Sequence, residues 1–356
     1  MELADPDLAS AWALLQSRLE AEGLGDGLPL GLPSTSALED MLRSNRLDAD
    51  TPVACLAPMQ ATATWRDIAY NALLAGCRAP DLPIVGAAVA AVAQPEFNLL
   101  SVQSTTGSAA TLVIVNGPAA LRAGMNCGTN ALGPGNRANA TIGRALRLVL
   151  QNIGGARSGE TDMATLGQPA KYTFCMAENE AESPWEGLHR DAGFGAGDST
   201  VTVLATAGIC EVVDAVSNQP EDIFLTYAGS MLSAGHVSTA GIFGNGRPLL
   251  VIPPEHARFF SQAGYTKGDV KSALMQAASL PLDRLSPSMR SRIERHRADK
   301  GDHGSSGPVR LALNATDIMI AVAGGVGVKA AYIPGWSASL PVTRRIDYFG
   351  NGNGPT

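Results

Sequence analysis

The stretch CMAENEAESPWEGLHRDAGFGAGD, residues 175–198, sets Glu178, Asn179, Glu180, Glu182, His189 and Asp191 within fourteen residues, behind an apolar run. Carboxylates and an imidazole converging at a strand end are what proton transfer between a protein and a small molecule requires. His189 is the strongest general-base candidate among the five histidines, and Glu178 and Glu180 are its candidate partners. Without those acids and Trp185 beside it, a lone histidine would read as a structural residue. The same residues offer Glu oxygens and a His nitrogen to a divalent metal. No spacing here matches a specific metal motif, so no cofactor is expected and a metal is the lesser alternative.

A second stretch, GPGNRANATIGRALRLVLQNIGGA, begins as a glycine-proline turn and becomes a helix. Asn136 is a good N-cap for a helix over about 137–152. Ile142, Ala145, Leu146 and Val149 form one buried stripe, and Gly154 can take the left-handed cap. Arg137 and Asn139 then stand in the first turn, with Thr141 and Arg144 following on that side. A cation at a helix N-terminus opposes the helix dipole. Arg137 therefore calls for an anion, either a ligand carboxylate held with Asn139, Thr141 and Arg144 or a carboxylate of the chain itself. No Gly-Lys-Ser/Thr follows, and the last glycine of the dinucleotide fingerprint is missing.

Five other positions could touch a ligand. Thr105 and Thr106, beside Gly107, can donate to an oxyanion or cap local backbone. Asn116 follows the strand TLVIVNGP. Cys127 sits between Asn126 and Gly128, a polar setting near a helix N-terminus that is expected to lower its thiol pKa. The inert alternative is a small filler residue. Lys329 lies in the glycine loop AGGVGVKAAYIPGW, where it could meet a carboxylate.

The elements that would position these groups alternate. TPVACLAP, TLVIVNGP, KYTFCMAENE, STVTVLATAG, RPLLVIPP and DIMIAVAGG read as strands, the last of these as the final strand. TATWRDIAYNALLAGC, LPIVGAAVAAVAQ, DIFLTYAGSMLSAG, EHARFFSQAG and TKGDVKSALMQAA read as helices. Thr64 with Asp67, and Thr266 with Asp269, stand at capping-box spacing, and Ser34 to Ser36 can cap ALEDMLRSN. Apolar strands alternating with helices predict an α/β fold of layered, mostly parallel sheets with flanking helices, in two lobes. Residues 1–50 are expected to be a helical segment and linker. Residues 51–214 would form the first lobe and 215–356 the second, with a polar, mobile insertion near 281–308.

Of the 356 residues, 45% are hydrophobic and 17% charged, enough apolar material for a substantial core. The net charge of −7 has no basic tract beyond MRSRIERHRADK, which reads as a solvated helix end, so nucleic acid is not an expected partner. No apolar run reaches eighteen residues, and the first residues lack a signal-peptide pattern. Five separated cysteines without a CxxC fit reduced thiols. Together these predict a cytoplasmic protein away from membranes. Low charge with high apolar content points to a homo-oligomer.

GPGNRANATIGRALRL, AENEAESPWEGLH and STVTV resemble the long proteins of the bacterial family named for a UGSC motif (selenocysteine-Gly-Ser-Cys). NALLAGC, LPIVGAAVAA, EFNLL, TTG and IVNGP fit the same pattern, from about residue 28 to the C-terminus. The resemblance implies a thiol-redox role. The chain departs from the motif that carries that role: its nearest string is Cys127-Gly128-Thr129-Asn130, without a second thiol. The residues themselves point to an enzyme acting on a small carboxylate-bearing metabolite by acid–base chemistry, a lyase or hydratase. The alternatives are a hydrolase with Cys127 as nucleophile, a thiol-redox protein, and a non-catalytic binder. Nothing points to nicotinamide, flavin or pyridoxal.

Overall fold

The computed structural model describes residues 6–233, 235, 246–299 and 307–348. The chain begins with helices α1 (Pro6–Ala21) and α2 (Thr35–Ser44), then the hairpin of β1 (Pro52–Leu56) and β2 (Ala61–Thr64). Helices α3 (Trp65–Ala75), α4 (Leu82–Val92) and α5 (Leu99–Ser104) lead to β3 (Ala110–Asn116) and α6 (Pro118–Ala123). Helix α7 (Arg137–Asn152) precedes β4 (Cys175–Ala177), α8 (Leu188–Asp191), β5 (Thr200–Thr206) and β6 (Cys210–Val213). Then come α9 (Pro220–Met231), β7 (Leu249–Ile252), α10 (Pro254–Gln262), α11 (Lys267–Ala277), β8 (Ser279–Leu280) and α12 (Pro287–Asp299). Strands β9 (Val309–Arg310), β10 (Met319–Val322), β11 (Lys329–Ile333) and β12 (Val342–Arg345) follow.

Local chemistry accounts for the helix ends. Thr64 with Asp67, and Thr266 with Asp269, form the expected capping boxes. The Ser34 hydroxyl accepts from the Ala37 amide, and Asn136 accepts from the Asn139 amide. The stripe Ile142, Ala145, Leu146 and Val149 is fully buried. The left-handed residue after α7 is Gly155, not Gly154. Gly154 packs so tightly that a Cβ there would lie 2.6 Å from the Leu150 carbonyl oxygen.

Strands β1–β2 and β8–β9 form two-stranded sheets, and the other eight of the described strands form two four-stranded mixed sheets, in the orders β12-β5-β3-β4 and β10-β7-β11-β6. Only β3–β4 and β10–β7 are parallel in them; the other four pairings are antiparallel. This corrects the expectation of mostly parallel sheets. Continuous apolar strands report burial on both faces, which a parallel sheet requires but an antiparallel one also permits.

That double burial is visible residue by residue. Val113 and Val115 of β3, with Val201 and Val203 of β5, share a cluster with Ile68, Val89 and Leu146 of α3, α4 and α7. Leu250, Ile320 and Tyr332 share another with Tyr227, Phe260 and Leu274 of α9, α10 and α11. The alternate residues Leu112, Ile114, Met176 and Leu204 meet Leu249, Val251, Met319 and Ile333 in a third cluster joining both sheets. DIMIAVAGG is not the last strand, since β11 and β12 follow it. Strand β6, before position 214, joins the second sheet, and β12, after it, pairs with β5 in the first. In the polar stretch 281–308, α12 packs Ile293 on Leu285 and Val309, and residues 300–306 lie outside the described ones.

An N-terminal strap fastens α7. Arg144 clasps Asp26 through Nε and Nη2 at 2.7 and 2.8 Å and donates to the Leu28 and Pro29 carbonyls. Gln151 and Asn152 donate to the Gly25 and Leu24 carbonyls. Among the described residues no single helix is long and apolar enough to cross a membrane.

Candidate functional site

The C-terminal ends of β3, β4 and β10 converge with the start of β5. Glu178, one residue past β4, is buried there. Its Oε2 accepts from Asn116 Nδ2 at 2.6 Å and from the Leu188 amide at 2.7 Å. Its Oε1 accepts from the Val322 amide at 3.2 Å. One carboxyl group thus ties β3, α8 and β10 together. Burial pushes its pKa up, and these hydrogen bonds and the charge of Lys267 pull against it.

Glu180 stands beside it. Its Oε1 accepts from the Gly117 amide at 2.7 Å and from Asn116 Nδ2 at 3.2 Å. Its Oε2 lies 4.0 Å from Nδ1 of His189. His189 occupies α8, which packs against β5 and β10. Its side chain is 1% exposed, and neither ring nitrogen has a hydrogen-bond partner among the described residues. Gly187 lets this arrangement close: a Cβ there would lie 2.9 Å from His189 Nδ1 and 3.0 Å from Asn116 Nδ2.

Two more buried polar atoms lack partners here, Asn116 Oδ1 and Thr200 Oγ1. Asn116 and Thr200 are register partners across β3 and β5, so their side chains leave the same face. Leaving one such atom unpaired costs about 1–3 kcal/mol. Clustered orphans of this kind call for a ligand or a catalytic role.

Cys127 lies near enough to feel the charges of Glu182 and Glu180. Its carbonyl accepts from Gly324 at 2.9 Å, in the glycine loop that continues β10. Burial pushes the thiol pKa up, its own backbone opposes this, and the charges of Glu182 and Glu180 raise it further. The lowered pKa expected from its polar sequence neighbours is therefore corrected: the thiol is half-buried and faces carboxylates rather than cations.

The remaining sequence candidates are placed elsewhere or otherwise engaged. Arg137 is paired at 2.5 Å with the buried Asp81, and its Nη1 also reaches Thr141. Arg144 is committed to Asp26. The expected ligand-facing anion site is thus filled by the chain's own carboxylates, Asp81 supplying the charge that Arg137 needs at the helix N-terminus. Asn139 is buried and clasps the Cys127 loop, accepting from the Asn126 amide and donating to the Asn126 and Ala131 carbonyls. Its part is to position that loop. Thr105 caps the Gly107 amide, and the Thr106 carbonyl receives Thr165, both at the end of β3 opposite Asn116. Lys329 opens β11, exposed, two strands from β10. Asp191 turns to Lys267 and Lys271.

Sequence reading missed Thr200 and Gly187. Thr200, Thr202 and Thr206 alternate with Val201, Val203 and Ala205, a period-two signal of one polar-bearing face within an apolar strand. Among the described residues no group of three His, Cys, Asp or Glu is placed to share a metal ion. No family model, curated protein or solved structure matches the chain.

Proposed function

We propose that the chain is an acid–base enzyme of the lyase or hydratase kind, acting on a small polar metabolite at the Glu180–His189–Asn116 cluster. One observation carries the reading: a fully buried imidazole with two unpartnered nitrogens stands 4.0 Å from a carboxylate. A histidine kept purely for packing would have its nitrogens paired, and this one leaves them for a reactant. A carboxylate on the substrate no longer has Arg137 and Arg144 to hold it, because both are engaged internally.

In the hydration direction, His189 takes a proton from water while that oxygen bonds to one carbon of a double bond. The π pair takes a proton at the neighbouring carbon, and the elements of water are added without an oxidant or reductant. We assign the second proton transfer to the Cys127 thiol, since the upward shift of its pKa favours the S–H form. The same shift weighs against Cys127 as a thiolate nucleophile or redox centre, the role implied by the likeness to UGSC proteins. Glu178 acts through its neighbours, holding Asn116 and α8 in place. We also read the two sheets with their helices as stacked layers of two lobes, in a cytoplasmic homo-oligomer.

The test is a panel of unsaturated and hydroxylated metabolites incubated with the protein in ¹⁸O-water, with label incorporation read by mass spectrometry. The wild type is expected to incorporate label into one of them, and His189→Leu to lose at least about 100-fold in rate with its fold intact. Undiminished incorporation in His189→Leu would overturn the assignment.

A further inference from the structure

The orphaned atoms at this site form a set whose hydrogen-bonding needs can be counted. Asn116 Nδ2 donates to Glu178 and Glu180, which fixes the orientation of the amide and leaves Oδ1 as an acceptor. Thr200 Oγ1 brings a hydroxyl hydrogen and lone pairs. In a neutral imidazole one nitrogen donates and the other accepts. The Glu180 carboxylate near Nδ1 favours the proton there, so Nε2 is left as the acceptor. The group therefore presents two acceptors, Asn116 Oδ1 and His189 Nε2, and one hydroxyl donor, Thr200.

A carboxylate or phosphate oxygen has no hydrogen for Asn116 or His189, and Glu178 and Glu180 would repel it. An ammonium group has no lone pair for the Thr200 hydroxyl. A water molecule has two hydrogens and a lone pair to spare, matching all three. All three side chains are buried, and a buried water making about three hydrogen bonds is a regular structural element of proteins.

We infer that Asn116 Oδ1, Thr200 Oγ1 and His189 together hold one water molecule at the junction of β3, β5 and α8. Asn116 and Thr200 take it from the sheet side as cross-strand partners. His189 takes it from the helix side, with α8 packed on β5. That this water is also the reactant rests on the acid–base reading above, where Nε2 would accept its proton. Thr200 then acts as a specificity residue, selecting an oxygen that can both give and accept hydrogen bonds.

The test is a high-resolution crystal structure of the substrate-free full chain, as wild type, Thr200→Val and Thr200→Ser. The wild type and Thr200→Ser are expected to show one ordered oxygen within hydrogen-bond distance of Asn116 Oδ1, residue 200 Oγ and a His189 nitrogen. Thr200→Val keeps the side-chain shape and is expected to lose that oxygen or displace it. If Thr200→Val does not fold, the wild type by itself still decides, since the oxygen must be present there. Absence of the oxygen from the wild type, or its retention in Thr200→Val at the same place, overturns the inference. An ordered oxygen in a protein whose His189→Leu variant still turns over a metabolite would support the water site and refute the catalytic reading, so the two fail separately.

Discussion

Nη1 of Arg137 lies 2.5 Å from Oδ2 of Asp81, a carboxylate with no exposed surface. The contact joins the first turn of α7 to the residue before α4 and satisfies a cation that the helix dipole disfavours. Its consequence is structural. Arg137→Met would leave Asp81 buried without its cation, with only the Arg78 amide donating to it, at a cost of about 3 kcal/mol in unfolding free energy. A urea melt should show the lower midpoint. If Arg137 bound substrate instead, the loss would appear as weaker binding with the midpoint unchanged.

Glu178 receives donors from three separate elements. Glu178→Ala strands the Leu188 and Val322 amides and is expected to destabilise the protein by about 2–5 kcal/mol. Glu178→Gln keeps a carbonyl oxygen for one donor and should cost less. Hydrogen exchange at the Leu188 and Val322 amides is the direct reading. Both should exchange faster in Glu178→Ala, and unchanged protection would show that the carboxyl is not what holds α8 to β10.

Cys127 should alkylate slowly. Its raised pKa lowers the thiolate fraction at neutral pH, whereas Cys55 is exposed. Buried Cys77, its pKa pushed up to about 12 by burial, should be slower still. Mass spectrometry after brief iodoacetamide treatment at pH 7.5 is expected to show Cys55 labelled ahead of Cys127, with Cys77 unmodified. Preferential labelling of Cys127 would revive the covalent-thiol alternatives.

Acid sensitivity should come in part from His256. It is buried, and its Nδ1 meets the Tyr227 hydroxyl at 2.5 Å. Burial lowers its pKa below the ordinary 6.5, while the charges of Asp214 and Glu255 and a backbone hydrogen bond to Asp214 oppose this. The unfolded chain therefore takes up the proton first as pH falls. Stability is full above about pH 6.5 and declines as pH drops through the window down to the folded-state value. Melting temperatures from pH 7.5 to 5 should fall more steeply in the wild type than in His256→Gln. Parallel slopes would rule this residue out.

Much of the local structure was legible in the residues. Thr64 and Thr266 announced their helices because a capping box is a short-range contract between residues three apart. The strand and helix periods around Val113, Leu146 and Phe260 gave the α/β class for the same reason. What escaped was set by distance along the chain. Asp81 neutralises Arg137 from 56 positions away, and no local pattern marks it as the partner. The pairing directions escaped because an apolar run says that both faces are covered without saying which way the neighbour runs. Within the site, Glu178, Glu180 and Asn116 were readable as polar groups closing apolar strands, and His189 as an imidazole with acids close by in the sequence. The polar neighbours of Cys127 misled, since its pKa answers first to burial and then to the charges of Glu182 and Glu180, none of which its sequence neighbours report.

The strap over α7 has a consequence for where variation can be felt. Residues 24–29 grip the last three turns of that helix, Asp81 grips its first turn, and Asn139 on the same helix carries the loop of Cys127. The helix works as a spindle clamped at both ends. A substitution at Asp26 would therefore reach a loop a hundred residues downstream, without altering any residue of the candidate site. Sequence drift in the leading segment is therefore not neutral by virtue of lying far from the candidate site.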